Sequence, residues 1–283
     1  MELSRTKMNA EFRHEIEVAA RLARSAGAII MQIYQTKFVV KSKGKEGPVT
    51  EADQRANDVI VEGLQREFPR DGICSEERPV CVGEQQDGRV WYVDPLDGTR
   101  EFVEKRDEFS VMIGLAIDGQ ALLGLVYRPT DGALFGGIAD RGAWHEEHGR
   151  RVRLTVTSET DPRRLRLAVS RSHRDRLIDD MRVRIGITQE TRCGSVGVKI
   201  ALLATRQADV YLEPSGVTSA WDICAPEAVL RGAGGRVTDL AGDPLVYAAH
   251  NVRNRRGLVA TNRACHDDVV AAIAPVVREA KLI

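Results

Sequence analysis

The chain has no surplus of either charge. In 283 residues, 41 Lys and Arg face 41 Asp and Glu, and the formal net charge is zero. A neutral protein exerts no general pull on nucleic acid or anionic lipid, so neither is expected as a partner. The Arg-rich stretches at 163–166 and 253–256 read as solvated surface. No apolar run approaches the ~20 residues that a membrane span needs. The N-terminal MELSRTKMNAEFRHE has no apolar stretch of the kind a secretory signal carries. Cysteine is scarce: five residues, at 74, 81, 193, 224 and 265, odd in number, scattered in spacing and without a CxxC. Reduced thiols and a cytoplasmic location are expected, rather than a disulfide framework or a zinc site. There is no internal repeat and no low-complexity tract. None of the six histidines stands in a His–Cys or His–Ser arrangement that would mark a covalent nucleophile.

What is present is enough apolar residue, 43%, for a sizeable core. Phe12, Ile16, Ala19, Ala23, Ala26, Ile30 and Ile33 recur at three-to-four spacing and predict a first helix. A basic, Gly-containing loop is expected over Lys41–Gly47. A second helix follows from about Ala52 to Phe68, with Ala56, Ile60, Leu64 and Phe68 on one stripe. From Val90 to about Val156, short apolar runs alternate with turn signals such as Asp118-Gly119 and Pro129-Thr130-Asp131-Gly132, which predicts an antiparallel meander. Beyond Asp161-Pro162, strands (165–170, 208–212, 257–261) alternate with helices (198–205, 223–233, 265–280). The first half, 1–160, therefore reads as α+β and the second, 161–283, as α/β, with sheets layered between helices.

Four motifs carry the chemistry. In Trp91-Tyr92-Val93-Asp94-Pro95-Leu96-Asp97-Gly98-Thr99 an apolar strand is expected to stop at Asp94, because Pro95 cannot donate to a ladder. Gly98 permits a sharp turn, and Thr99 and Arg100 would open a helix. Two carboxylates forced together repel unless a cation sits between them. Mg²⁺ takes such oxygen ligands at ~2.0–2.1 Å, together with water and phosphate, and the Leu96 carbonyl is a further oxygen. The amides after Gly98 would welcome a phosphate. The second motif is Ser75-Glu76-Glu77. The third, Thr50-Glu51-Ala52-Asp53, has the spacing of a capping box opening the second helix. In the fourth, Ala220-Trp221-Asp222-Ile223, Asp222 reads either as a helix cap or as a ligand, and one carboxylate can do both.

In this order, T-x-x-D, E-E, D-P-L-D-G-T and W-D, the chain resembles the inositol monophosphatase superfamily of Mg²⁺-dependent, lithium-sensitive phosphatases over essentially its whole length. The resemblance implies a five-layered αβαβα sandwich of the inositol monophosphatase/fructose-1,6-bisphosphatase type. It implies two or three Mg²⁺ ions held by Glu76, Asp94, the Leu96 carbonyl, Asp97 and Asp222. It also implies that Glu76, Thr99 and Asp53 orient or deprotonate the attacking water. Gly98, Thr99 and Asp222 would meet the substrate.

Three stretches look like the 3'(2'),5'-bisphosphate nucleotidase branch: Ser170-Arg171-Ser172-His173, Gly194-Ser195-Val196-Gly197-Val198-Lys199 and Trp221-Asp222-Ile223-Cys224-Ala225-Pro226-Glu227. By that resemblance Ser170, His173, Ser195 and Lys199 contact the nucleotide, although the branch often has Gly where this chain has Ser195. The expected partner is a small phosphorylated substrate, a nucleotide bisphosphate, acted on by a monomer or homodimer. Inositol monophosphatase, sugar bisphosphatase, NADP(H) phosphatase and a catalytically silent nucleotide-binding regulator are the competing readings.

Overall fold

The computed structural model describes residues 11–42, 44, 48–83, 88–147, 149–172 and 174–283. Helix α1 (Arg13–Tyr34) buries the predicted stripe of Ile16, Ala19, Ala23, Ala26, Ile30 and Ile33. Helix α2 (Glu51–Glu67) lies against it and buries Ala56, Ile60 and Leu64. Between them, where sequence alone predicts a loop, β1 (Val40–Ser42) pairs antiparallel with β2 (Pro48–Thr50). Residues 43 and 45–47 of the expected loop lie outside the described residues.

The larger sheet has the order β10-β9-β8-β7-β6-β5-β3-β4. Its strands are β3 (Gly72–Ser75), β4 (Arg78–Val82), β5 (Arg89–Asp97), β6 (Ser110–Ile117), β7 (Gln120–Arg128), β8 (Ala133–Ile138), β9 (Gly142–Glu147) and β10 (Arg150–Leu154). From β5 to β10 it is the expected meander, every pair antiparallel. The smaller sheet, order β12-β11-β13-β15-β14, is formed by β11 (Arg166–Ser170), β12 (Gln189–Cys193), β13 (Val210–Glu213), β14 (Arg236–Thr238) and β15 (Leu258–Thr261). The remaining helices are α3 (Thr99–Val103), α4 (Leu177–Ile185), α5 (Val196–Ala204), α6 (Ala220–Gly232) and α7 (His266–Glu279).

Strand alternation sorts the side chains into layers. Trp91, Val93, Ile113, Leu115, Leu123 and Leu125 join α1 and α2 in one core. Met112, Val126 and Phe135, on the opposite face, pack with Ala201 of α5 and with Ala225 and Val229 of α6. In the smaller sheet Ala168, Tyr211 and Ala260 face Ile200 and Ile223 of these same two helices. Leu167, Val169, Val210, Leu212 and Val259 face α4 and α7 instead. The result is the five-layered α-β-α-β-α arrangement. Helix α6 lies directly on the larger sheet because Gly114 and Gly124 leave room. A Cβ at Gly124 would fall 2.1 Å from the Ala225 carbonyl oxygen, and one at Gly114 2.6 Å from the Ala225 nitrogen. That close approach fixes where α6 brings its first turn.

The cysteines depart from expectation. Cys74 and Cys81 form a disulfide with Cα atoms 4.3 Å apart, while Cys193, Cys224 and Cys265 are free and buried. The spacing of seven gave no sign of a pair. The tight antiparallel return of β3 into β4, irregular between Ile73 and Ser75, brings the two residues opposite one another. Among the described residues, no helix is long and apolar enough to cross a membrane.

Candidate metal and phosphate site

The centre is the end of β5, and here the strand runs further than its proline suggests. β5 continues to Asp97 instead of stopping at Asp94. Its pairing with β6 slips on the way: Asp94 lies opposite Met112 and Asp97 opposite Ser110, three residues on one strand against two on the other. In a regular strand, residues three apart point to opposite faces. The extra residue of this bulge reverses that parity, so both carboxylates emerge together, a device common beside active sites. Pro95 is tolerated within the bulge, where the regular ladder is broken.

Asp222, in the first turn of α6, completes the group. Carboxylate oxygens of Asp94, Asp97 and Asp222 lie within 4.8 Å of one another. Asp222 is also a helix cap: its Oδ2 accepts the Ser219 N–H at 2.5 Å. The capping reading of this residue therefore holds, and its carboxylate also joins the acidic group. Glu76, in the turn after β3, is anchored by its own N–H on the Val93 carbonyl at 3.1 Å. Its carboxyl is hydrogen-bonded to Asp94. Burial first, then the neighbouring charges of Glu76, Asp97 and Asp222, hold the Asp94 carboxyl well above the usual range. Burial, Glu76 and Asp97 do the same to Asp222. Asp97 is raised by burial but opposed by Lys199 and by hydrogen bonds from Ser195 and Gly197.

Asp53 likewise caps a helix and reaches into the site. Its Oδ2 accepts the Thr50 N–H and Oγ1–H, each at 2.7 Å, which caps α2. Its Oδ1 lies 2.9 Å from Thr99 Oγ1. Thr99 also reaches the Leu96 carbonyl at 3.1 Å. Gly98, with φ of 94°, makes the turn into α3, and a Cβ there would meet the Glu108 carbonyl at 2.9 Å. Asp53, Glu76, Asp94, Leu96, Asp97, Gly98, Thr99 and Asp222 thus form one interlinked constellation.

The substrate-side residues lie at different depths. Ser170 ends β11, partly exposed. His173 lies outside the described residues. Ser195 and Lys199, at the start of α5, are buried, 5% and 3% exposed. The Lys199 ammonium sits 5.2 Å above the Tyr211 ring among Asp97, Glu101 and Glu213, and burial lowers its pKa.

Three residues at this site carry no motif signal. Glu101, buried in α3, accepts the Ser172 hydroxyl at 2.5 Å, while Arg100 donates to the Ser172 carbonyl at 3.1 Å. The segment after the carboxylate loop therefore holds the chain at Ser172. Ser110 meets Ser195. Glu213, at the end of β13, has one buried oxygen, Oε2, without a hydrogen-bond partner, and burial raises its pKa.

A fold of this layering with this acidic constellation is that of the metal-dependent phosphatases, and the chain belongs to the inositol monophosphatase family, which it matches over residues 12–278. Among its relatives is the 3'(2'),5'-bisphosphate nucleotidase CysQ of Escherichia coli (strain K12), 40% identical over 82% of this chain and 93% of that one. The Nus factor SuhB of Salmonella typhimurium (strain 14028s) is 30% identical over 87% of this chain and 91% of its own length. The structure of an inositol monophosphatase from Anabaena superposes with a TM-score of 0.77, at 27% identity, covering 94% of this chain and 97% of the other.

The residues fit a metal. The buried Asp94 and Asp97 and the half-buried Asp222 bring carboxylate oxygens within 4.8 Å of one another, with Glu76 beside them, and Asp94 and Asp222 are raised in pKa by burial and then by the neighbouring carboxylates. A divalent cation removes that repulsion. The donors are all oxygen, which suits a hard ion and not a soft one.

Proposed function

We propose that the protein is a Mg²⁺-dependent phosphomonoester hydrolase acting as a 3'(2'),5'-bisphosphate nucleotidase, which removes the 3'-phosphate of adenosine 3',5'-bisphosphate. The observation that carries the hydrolase reading is the convergence of Asp94, Asp97 and Asp222 within 4.8 Å, beside the Asp53–Thr99 contact. The substrate rests on the 40% identity to CysQ.

Glu76, Asp94, the Leu96 carbonyl, Asp97 and Asp222 would hold two or three Mg²⁺ ions. Bound there, these supply Lewis-acid polarisation of the phosphate and charge stabilisation at the attacking and leaving oxygens. The chain's own groups do the rest. Thr99 gives its proton to Asp53 or to the Leu96 carbonyl, so its oxygen is left to accept from water. Glu76 and Thr99 orient that water, and Asp53 behind Thr99 takes up the proton it releases. Gly98 and Thr99 amides donate to the phosphate oxygens. Asp222 meets the substrate as well as the metal. Catalysis is then chiefly positioning and electrostatics.

Ser170 and His173 are the proposed direct contacts to the nucleotide. The burial of Lys199 favours an indirect role, a positive charge beneath Asp97 felt by an anionic substrate. The deciding experiment is a phosphate-release panel over adenosine 3',5'-bisphosphate, inositol 1-phosphate, fructose 1,6-bisphosphate and NADP, with Mg²⁺ and with excess chelator. Release from the nucleotide bisphosphate in Mg²⁺ alone is expected. Turnover persisting in chelator would overturn the metal reading, and a preference for inositol 1-phosphate would overturn the substrate.

A further inference from the structure

The resemblance makes Ser195 a nucleotide contact, but its hydroxyl is fully engaged inside the protein. A serine offers one proton and two lone pairs. The proton goes to Asp97 Oδ2, 2.5 Å away. One lone pair accepts the Val198 N–H at 3.0 Å, the cap of α5. The other accepts the Ser110 hydroxyl at 2.9 Å, and the direction is fixed because the only proton of Ser195 is already on Asp97. Ser110 is fully buried, so the chain Ser110 to Ser195 to Asp97 is shielded from water. The Gly197 N–H adds a second donor to the same Asp97 oxygen at 2.9 Å. Oδ2 is thereby saturated, and Oδ1 is the oxygen left to present.

The backbone shows that this arrangement is maintained against local preference. Ser195 has φ of 53° and ψ of 132°. That combination is strained for a residue with a side chain and easy for glycine. Strain held at one residue in a site points to a use for its side chain, and here the side chain both caps α5 and grips Asp97.

We propose that Ser195 is a positioning residue for Asp97. Through the Ser110–Ser195–Asp97 hydroxyl chain it locks the carboxylate so that Oδ1 is held ready for a divalent cation. The inference rests on the metal-site part of the reading above and is independent of which phosphate ester is cleaved. Partners that orient a ligand in this way typically change metal affinity 10–100-fold when removed.

The test is calorimetric titration of Mg²⁺ into substrate-free protein for wild type, Ser195→Gly and Ser195→Thr, with the thermal midpoint in chelator measured alongside. Ser195→Gly is expected to bind Mg²⁺ ~10–100-fold more weakly, with an unchanged or higher midpoint because the backbone strain is relieved. Ser195→Thr, which keeps the hydroxyl, is expected to retain more of the affinity than Ser195→Gly. In turnover, kcat of Ser195→Gly should fall at subsaturating Mg²⁺ and recover towards wild type as Mg²⁺ is raised, with KM for the phosphate ester little changed. Wild-type Mg²⁺ affinity in Ser195→Gly would overturn the proposal. So would a raised KM for adenosine 3',5'-bisphosphate at unchanged metal affinity, which would make Ser195 a substrate contact. If the wild-type protein proves inert towards that nucleotide, the substrate reading fails while the Mg²⁺ titration still decides this one.

Discussion

At the residue scale, one carboxylate often serves the fold and the chemistry together. Asp53 caps α2 and touches Thr99, and Asp222 caps α6 and joins the acidic trio. Asp97 lies on a strand and opens no helix of its own, and its support of the first turn of α5 goes through Oδ2 alone, so it is the place to separate the two. Asp97→Asn keeps an oxygen for the Ser195 and Gly197 donors but offers a hard cation a neutral amide. The expected result is a loss of at least ~100-fold in turnover, since an amide is a poor ligand for Mg²⁺. In chelator the thermal midpoint should hold or rise, because one of several clustered like charges has gone. A midpoint that collapses in chelator would mean the carboxylate is structural. Thr99→Ala separates water handling from ligation. Its hydroxyl contacts Asp53 and the Leu96 carbonyl, so turnover should fall by ~10²-fold or more, the scale of a lost proton-transfer group. Mg²⁺ affinity, measured by calorimetry, should stay near wild type, and a parallel fall in both would make Thr99 a ligand.

At the scale of elements, what could be read from the sequence depended on which side of each element is buried. α1 shows a clear helical period because one face meets a core, while the β5–β10 meander is marked by short apolar runs between turn signals, with β5, β6 and β8 buried on both faces; both lie within a residue or a few of the expected bounds. The later helices and strands are displaced by one to three residues. β3, β4, α4, β12 and the three-residue β14 are not expected from the sequence. α4 buries only Ile178, Met181 and Ile185 of its nine residues, and β12 is an exposed edge strand, Gln189-Glu190-Thr191-Arg192-Cys193. The four acidic motifs were legible because carboxylates and glycines cluster in short strings. Ser110 was not, since it is one serine on a long apolar strand and acquires a role only through Ser195, 85 residues away.

α7 carries a pH prediction of its own. His266, fully buried in its first turn, lies between Thr238 and Thr261, at 3.0 and 2.9 Å. Thr238 donates its proton to the Asp239 carbonyl, so it accepts from Nε2–H. Thr261 accepts the Arg263 N–H and donates to Nδ1. This neutral tautomer is satisfied on both sides, and burial pushes the imidazole pKa down from 6.5 to about 4. The folded state therefore takes up the proton later than the unfolded chain does. The associated stability is complete above pH ~6.5 and is lost as pH falls towards ~4, by up to about 3 kcal/mol at 1.36 kcal/mol per unit. Replacing His266 with Asn should flatten the fall of the thermal midpoint between those pH values. An unchanged slope would show that other groups carry it.

For the whole molecule, neutrality sets the terms of substrate choice. With 41 charges of each sign, no global field gathers anions, so a second phosphate must be met by local groups. Ser172 is tied to the carboxylate segment through Arg100 and Glu101, which would put the proposed recognition by Ser170 on backbone linked to the chemistry. A charge-assisted hydrogen bond to the non-hydrolysed phosphate contributes roughly 1.5–3 kcal/mol, or ~10–100-fold in affinity. Adenosine 3',5'-bisphosphate should accordingly be preferred over inositol 1-phosphate by at least ~10-fold in kcat/KM, and His173→Ala should erode that preference by raising KM for the bisphosphate alone. Lys199→Met should behave differently. Its ammonium is buried against Asp97, Glu101 and Glu213, so removing it leaves those carboxylates without a countercharge and should lower kcat on both substrates alike. A loss confined to the bisphosphate would instead make Lys199 the partner of the second phosphate. A wild-type preference for inositol 1-phosphate would remove the nucleotide from the account and leave the metal-dependent hydrolysis intact.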